Sequence, residues 1–364
     1  MNNFIFTSES VCAGHPDKVC DSISDAILDE ILKQDKFARV AVETLVAFEK
    51  ITIVGEVTTK AKVNYENIAR KRIKDLGYTN PKFNFTFNSP IDVDIHQQSP
   101  EIYRGVKVKG AGDQGMMFGF ACRETKDLMP LPITLAHKLA QRLDEVKKIT
   151  LPFLRPDGKT QVTVEYKNNI PVNIKQVVIA VPHDEDKDLR EVKKALEKHV
   201  VREVLDEYGF KISEKDLIVN GTGVWHMPGP ASDAGLTGRK IIVDTYGGYA
   251  RVGGGAFSGK DPTKVDRSGA YGARYLAKHI VKEKLADKAE VRLAYFIGAK
   301  KPTMLEIETF GTQKTTDKII KDYMSKLLDT SVEGILKGLN LQRPIYLKTS
   351  AYGHFGRPEF PWEK

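Results

Sequence analysis

The stretch 247–271, GGYARVGGGAFSGKDPTKVDRSGAY, holds seven glycines in 25 residues, where the whole chain has 29 in 364. Arg251, Lys260, Lys264 and Arg267 are threaded among them, with Asp261 and Asp266 between. Glycines let backbone amides approach a ligand closely and interleaved lysines add point charges, so the composition suits a polyphosphate. Residues 254–260 have the G-x4-G-K spacing of a nucleotide-binding loop. The next residue, however, is Asp261, where a Walker A motif carries the Ser or Thr that ligates magnesium. Helical periodicity then runs over 267–284, so the stretch reads as a glycine-rich turn feeding a helix.

That order occurs twice before. Residues 19–33 place Val19, Ile23, Ala26, Ile27, Leu28 and Ile31 mainly on one helical face. Strand-like runs follow at 38–48 and 51–58 across a Glu49-Lys50 turn, then a helix over 65–76 and a strand at 83–87. The pattern returns with a helix at 133–146, strands at 161–166 and 174–181 flanking Asn168-Asn169, a helix at 189–208 and a strand at 217–220. The third copy has the 267–284 helix, strands at 290–297 and 304–310, a helix at 316–328 and a strand at 345–348. The prediction is an α/β protein of the α+β type. Three similar α-β-β-α-β units, each a mainly antiparallel sheet backed by helices, are expected around a pseudo-threefold axis. The expected domains are 1–98, 110–226 and 228–364. The aperiodic 98–110 stretch between the first two has the length of a lid over a site, and equally that of a plain linker.

Bulk properties narrow the function. At 41% hydrophobic the chain can bury a large core, and its 29% charged residues are ordinary for a globular protein. The net charge of +8 fits anionic partners, but the lysines are spread along the chain and do not form the basic, aromatic-interleaved face of a nucleic-acid module. Cys12, Cys20 and Cys122 lack paired spacing, which points away from a disulfide or zinc framework and toward a reducing compartment. The amino terminus does not read as a signal peptide and no apolar run is long enough for a membrane helix. A cytoplasmic protein with neither nucleic acid nor membrane as partner is expected.

Two further glycine turns open the earlier units. In Gly14-His15-Pro16-Asp17-Lys18, Pro16 and Asp17 suit a helix start. His15 and Lys18 beside the positive end of that helix would form an anion site, and Asp17 could hold a divalent cation. Gly110-Ala111-Gly112-Asp113-Gln114-Gly115 is a second tight turn bearing an acid.

GHPDK, GAGDQG and GGGAFSGKDPTKVDRS together resemble the motifs of the S-adenosylmethionine synthetase (methionine adenosyltransferase) family. FTSESV, LRPDGKTQV, GLTGRKIIVDTYGG and AYGHFGR extend the likeness over the whole chain in order. The resemblance implies a fold of three α/β units around a pseudo-threefold axis. It also implies a reaction in which methionine sulfur attacks C5′ of ATP and expels tripolyphosphate, which is then hydrolysed to phosphate and pyrophosphate. A thioether needs no deprotonation, so the demand falls on cations and donors around a highly charged leaving group. By matching motifs, His15, Lys159, Arg239 and Lys260 would be catalytic, and Asp17 and Asp266 would hold two magnesium ions. Glu43, which shares an apolar face of a predicted strand with Ala41 and Leu45 and would there need a cation or partner, would bind potassium. Asp113, Asp157, Trp225, Asp233, Lys240 and Ala256 would contact nucleotide and phosphates. Glu56, Gln98, Asp233 and Lys264 would bind methionine. The family implies a dimer or dimer of dimers with sites across the interface, and a gate at 98–110 that looks shorter here than in the bacterial pattern. Val224-Trp225 stands where the family has Arg-Phe, so stacking on adenine remains available and an arginine contact is lost.

Overall fold

The computed structural model describes residues 3–97 and 110–364, so the expected gate and Gln98 lie outside the described residues. The first unit runs β1 (Phe4–Val11), α1 (Pro16–Gln34), β2 (Arg39–Ala47), β3 (Lys50–Thr58), α2 (Tyr65–Asp75) and β4 (Ile91–His96). The second has β5 (Gly115–Cys122), α3 (Leu131–Val146), β6 (Lys159–Lys167) and β7 (Ile170–Ala180). It closes with α4 (Leu189–Leu196), a π-helical turn, α5 (Arg202–Glu207) and β8 (Leu217–Val219). The third has β9 (Gly235–Leu236), α6 (Ile241–Asp244), α7 (Val265–Lys282), β10 (Lys288–Tyr295), β11 (Met304–Glu308), α8 (Asp317–Leu327) and α9 (Val332–Gly338).

The repeat is present, with a feature that periodicity did not reveal. Each unit begins with a strand that leaves home. β1 pairs with β6 of the second unit, β5 with β10 of the third, and β9 with β2 of the first. The sheets are therefore β1-β6-β7-β8, β11-β10-β5 and β4-β3-β2-β9, each completed by its neighbour's strand. The pairing is antiparallel except at β3–β4 and β7–β8.

Two expected strands are corrected. Residues 83–87 do not form one: Pro81–Phe83 is a 3-10 turn and Asn84 is left-handed. Phe83 and Phe85 pack edge-on against Tyr78 instead, at 6.4 and 5.3 Å between ring centroids. The closing strand is β4, eight residues beyond Phe83. Residues 345–348 are not a strand either, because the amides of Tyr346 and Leu347 donate to Asp29 of α1, both at 2.9 Å. A 3-10 turn, Leu347–Ser350, follows. The first hairpin also turns one residue early, since β3 starts at Lys50 and Glu49 carries the positive φ.

Helix α1 is buried on every side and not on one face; sixteen of its nineteen residues are inaccessible, four aspartates among them. Burying a carboxylate is costly unless it is hydrogen-bonded, and these four are. At fourfold spacing Asp17, Asp21, Asp25 and Asp29 accept from the amides of Leu236, Gly238, Gly259 and Tyr346, all in the third unit. A central junction is similarly polar: Glu124 takes the hydroxyls of Tyr166 and Tyr249, each at 2.7 Å, and joins the second and third units.

Candidate active site

The first cluster lies at the amino end of α1. β6 starts at Lys159 opposite Val11 of β1, and the chain then turns into His15, the N-cap of α1. The Asp17 amide donates to Nδ1 of His15 at 3.2 Å. Burial, reinforced by the charges of Lys240 and Lys159, lowers the pKa of His15 to about 3. The ring is neutral, and with Nδ1 accepting, the hydrogen-bond pattern assigns its proton to Nε2. Oδ1 of Asp17 accepts from the Leu236 amide at 3.0 Å and Oδ2 is paired with Lys240. Burial raises the pKa of Asp17, but these partners outweigh it and hold it below its ordinary value. Gly235 allows the approach: a Cβ there would stand 2.2 Å from the Pro16 carbonyl carbon.

Lys18 departs from expectation. It is fully buried and paired with Asp21 and Asp244, so it belongs to the interior and not to the anion site. Asp157 is also turned inward. Its oxygens accept from the amides of Gly158 at 2.6 Å and Gly229 at 3.0 Å, and burial raises its pKa to about 6. It braces the Gly229–Ala231 turn.

The second cluster is the opening glycine stretch. Asp266, in the first turn of α7, pairs with Lys260 at 2.6 Å. Its carboxylate fills the space left by a glycine: a Cβ on Gly255 would lie 2.3 Å from Oδ1, while one on Gly115 would stand at ordinary contact distance. Asp261, the residue that spoils the Walker match, is a buried tether. It accepts from the Val40 amide at 2.8 Å and the Thr263 amide at 2.9 Å, and it pairs with Lys264. Lys260 bridges to Ala41, which lies opposite Glu56. Strand pleating puts directly paired side chains on one face, so Lys260, Ala41 and Glu56 form a row there, with Glu43 in the next row.

The remaining residues are dispersed around these clusters. Asp113 and Asp233 are exposed on turns, Arg239 is exposed beside Lys240, and Ala256 packs against Gly238. The half-buried Trp225 is fixed by its indole N–H, which donates to the Met227 carbonyl at 2.6 Å, and Val224 beside it is 62% exposed. Among the described residues no hydrogen bond or ion pair links the His15–Asp17–Lys240 cluster to the Lys260–Asp266 pair, and no three His, Cys, Asp or Glu side chains converge into a metal cage. Lone carboxylates beside lysines still fit magnesium, which retains waters and takes further ligands from substrate phosphates. Sequence reasoning missed Asp21, Asp25 and Asp29. The signal was present: acids recur every fourth residue in a helix otherwise rich in apolar side chains.

Three interlocked α/β units thus carry lysines and single carboxylates on glycine turns, a charge pattern suited to a polyphosphate. Residues 3–100, 108–225 and 227–364 match the N-terminal, central and C-terminal domains of S-adenosylmethionine synthetase. The S-adenosylmethionine synthase of Clostridium tetani (strain Massachusetts / E88) is 50% identical over 377 aligned residues, covering 99% of this chain and 96% of that protein. The chain belongs to the S-adenosylmethionine synthetase family.

Proposed function

We infer that the protein is a methionine adenosyltransferase that makes S-adenosylmethionine from ATP and L-methionine. The observation that carries the reading is the His15–Asp17–Lys240 cluster: a neutral imidazole with its proton on Nε2, beside a carboxylate and a lysine. The methionine sulfur lone pair forms a bond to C5′ as the C5′–O5′ bond breaks, and its electrons leave with tripolyphosphate. Nε2–H of His15 donates toward the oxygen that gains charge. Lys159, Arg239, Lys240 and Lys260 bind the phosphate chain. Donors placed where charge develops act most strongly in such a step, and losing one typically costs about 10²–10³ in rate. Hydrolysis of the retained tripolyphosphate would use the same cations.

Asp17 and Asp266 would hold magnesium ions, whose chemistry is to neutralise the leaving group, and Glu43 would hold potassium. Trp225 offers a stacking face for adenine, with Asp113 and Ala256 lining the nucleotide, while Asp157 acts from the interior by bracing the Gly229–Ala231 turn. Glu56, Gln98, Asp233 and Lys264 take the methionine end, and residues 98–110 gate the site. The domains are taken as 1–98, 110–226 and 228–364. A second copy of the chain supplies the missing half of each site. Exposed Leu45, Val54 and Met116 support this reading, because they leave apolar surface uncovered near Glu43 and Lys260. A dimer, or a dimer of dimers, follows. No helix among the described residues is long and apolar enough to cross a membrane; we place the enzyme in the cytoplasm.

Incubation with ATP, methionine, magnesium and potassium should yield a sulfonium product with phosphate and pyrophosphate in equal amounts. ATP consumed only to ADP would replace this reading with a kinase.

A further inference from the structure

The segment from Leu236 to Asp244 carries Arg239 and Lys240 but has little regular structure of its own, only the end of β9 and the four-residue α6. What holds it is α1. Asp17 takes the Leu236 amide at 3.0 Å and Asp21 takes the Gly238 amide at 2.9 Å. Lys18, fully buried, donates to Asp21 at 2.9 Å and is also paired with Asp244 at the far end of the segment. The two basic residues are thus spanned on both sides by groups anchored to one rigid helix.

Two acids and one lysine buried together are a poor route to stability, since desolvation offsets much of their attraction. They do fix geometry, because each has a required partner. We propose that Lys18, Asp21 and Asp244 form a positioning triad that sets Arg239 and Lys240 against the phosphate chain. This rests on the assignment of those two residues to phosphate. The triad touches no substrate and acts through the Gly238 amide and through Asp244 at the end of the segment.

The test is a kinetic cycle on the full-length enzyme. Asp21→Ala removes the acceptor for Gly238 and should lower kcat about 100-fold, the scale of an ångström misplacement, with KM for methionine unchanged. Asp21→Asn keeps a carbonyl oxygen for that amide and leaves Lys18 and Asp244 paired one to one, so it should recover most of the turnover. In an Arg239→Ala/Lys240→Ala background, Asp21→Ala should cause no further loss, because the residues it positions are gone. If Asp21→Ala does not fold, Asp244→Asn is read in the same cycle, with a smaller fall in kcat and the same suppression.

Equal rate losses from Asp21→Ala with and without Arg239 and Lys240 would overturn the triad's role. So would an Asp21→Ala enzyme that turns over normally while the Arg239→Ala/Lys240→Ala enzyme is impaired. Normal turnover by the Arg239→Ala/Lys240→Ala enzyme would overturn the phosphate assignment itself, and the triad with it.

Discussion

Asp25 of α1 and Arg267 of α7 form a two-pronged ion pair in the interior, with Nη1–Oδ1 at 2.7 Å and Nη2–Oδ2 at 2.9 Å and neither side chain exposed. Asp25 also takes the Gly259 amide at 2.8 Å, and Arg267 donates to the Lys260 carbonyl at 3.0 Å, so the pair anchors the glycine loop. Arg267→Met leaves Asp25 uncompensated and should destabilise the protein by about 3–5 kcal/mol. Urea unfolding of the variant checks this. Adding Asp25→Leu should restore much of the stability but not the turnover, since the loop keeps neither tether.

Gly255→Ala should separate activity from folding. The new methyl would meet Asp266 Oδ1 at 2.3 Å, forcing the carboxylate and its Lys260 partner to move. Turnover should fall about 100-fold for a shift near an ångström, with circular dichroism and gel filtration unchanged. Wild-type turnover would remove Asp266 from the site.

His15 should stay neutral through the physiological range. Its folded pKa, about 3, lies below its ordinary 6.5, so its contribution to stability is full above pH 6.5 and lost as pH falls toward 3. The stability advantage of wild type over His15→Gln should shrink by about 1.4 kcal/mol per pH unit below 6.5. Unfolding curves at pH 7.5, 6.0 and 5.0 test the sign. The pH profile of kcat/KM, which reports the free enzyme, should show no inflection from His15 near 6.5.

The carboxyl terminus is a structural plug. Trp362 stacks on Tyr271 at 3.7 Å between centroids, and Glu363 is buried against Arg274 and Lys278, each at 2.9 Å. Deleting residues 362–364 should leave two buried cations without their carboxylate and yield an aggregating protein. Glu363→Gln should be soluble with a lowered melting temperature.

Val224→Arg should tighten base selection. Trp225 is locked by its bond to Met227, and the exposed Val224 offers no polar group. An arginine there should lower KM for ATP about tenfold, the worth of one charge-assisted hydrogen bond, and raise the preference for ATP over GTP. Competition assays between the two nucleotides measure it.

The longer helices and the hairpin strands could be read from periodicity because their apolar faces are local properties, whereas the short helices Ile241–Asp244 and Val332–Gly338 could not. The 345–348 strand could not, since the amides it needed are taken by Asp29, more than three hundred residues earlier. Short β9 carries too little pattern to be seen alone, and its place is set by Asp17 and Gly235. Among candidate site residues, His15, Asp17, Lys240, Lys260 and Asp266 fall into two clusters, whereas Lys18 and Asp157 turn inward.

The linear sequence by itself determined the threefold repeat, the glycine turns that open its units and the chemistry those turns can offer. Each rests on spacing within some tens of residues. Only the tertiary structure decided which charges face a ligand and which hold the fold together. An aspartate in a motif looks the same whether it meets a half-buried lysine, as Asp266 does, or two buried amides, as Asp157 does. The difference is burial and partner, and both come from parts of the chain far away in sequence.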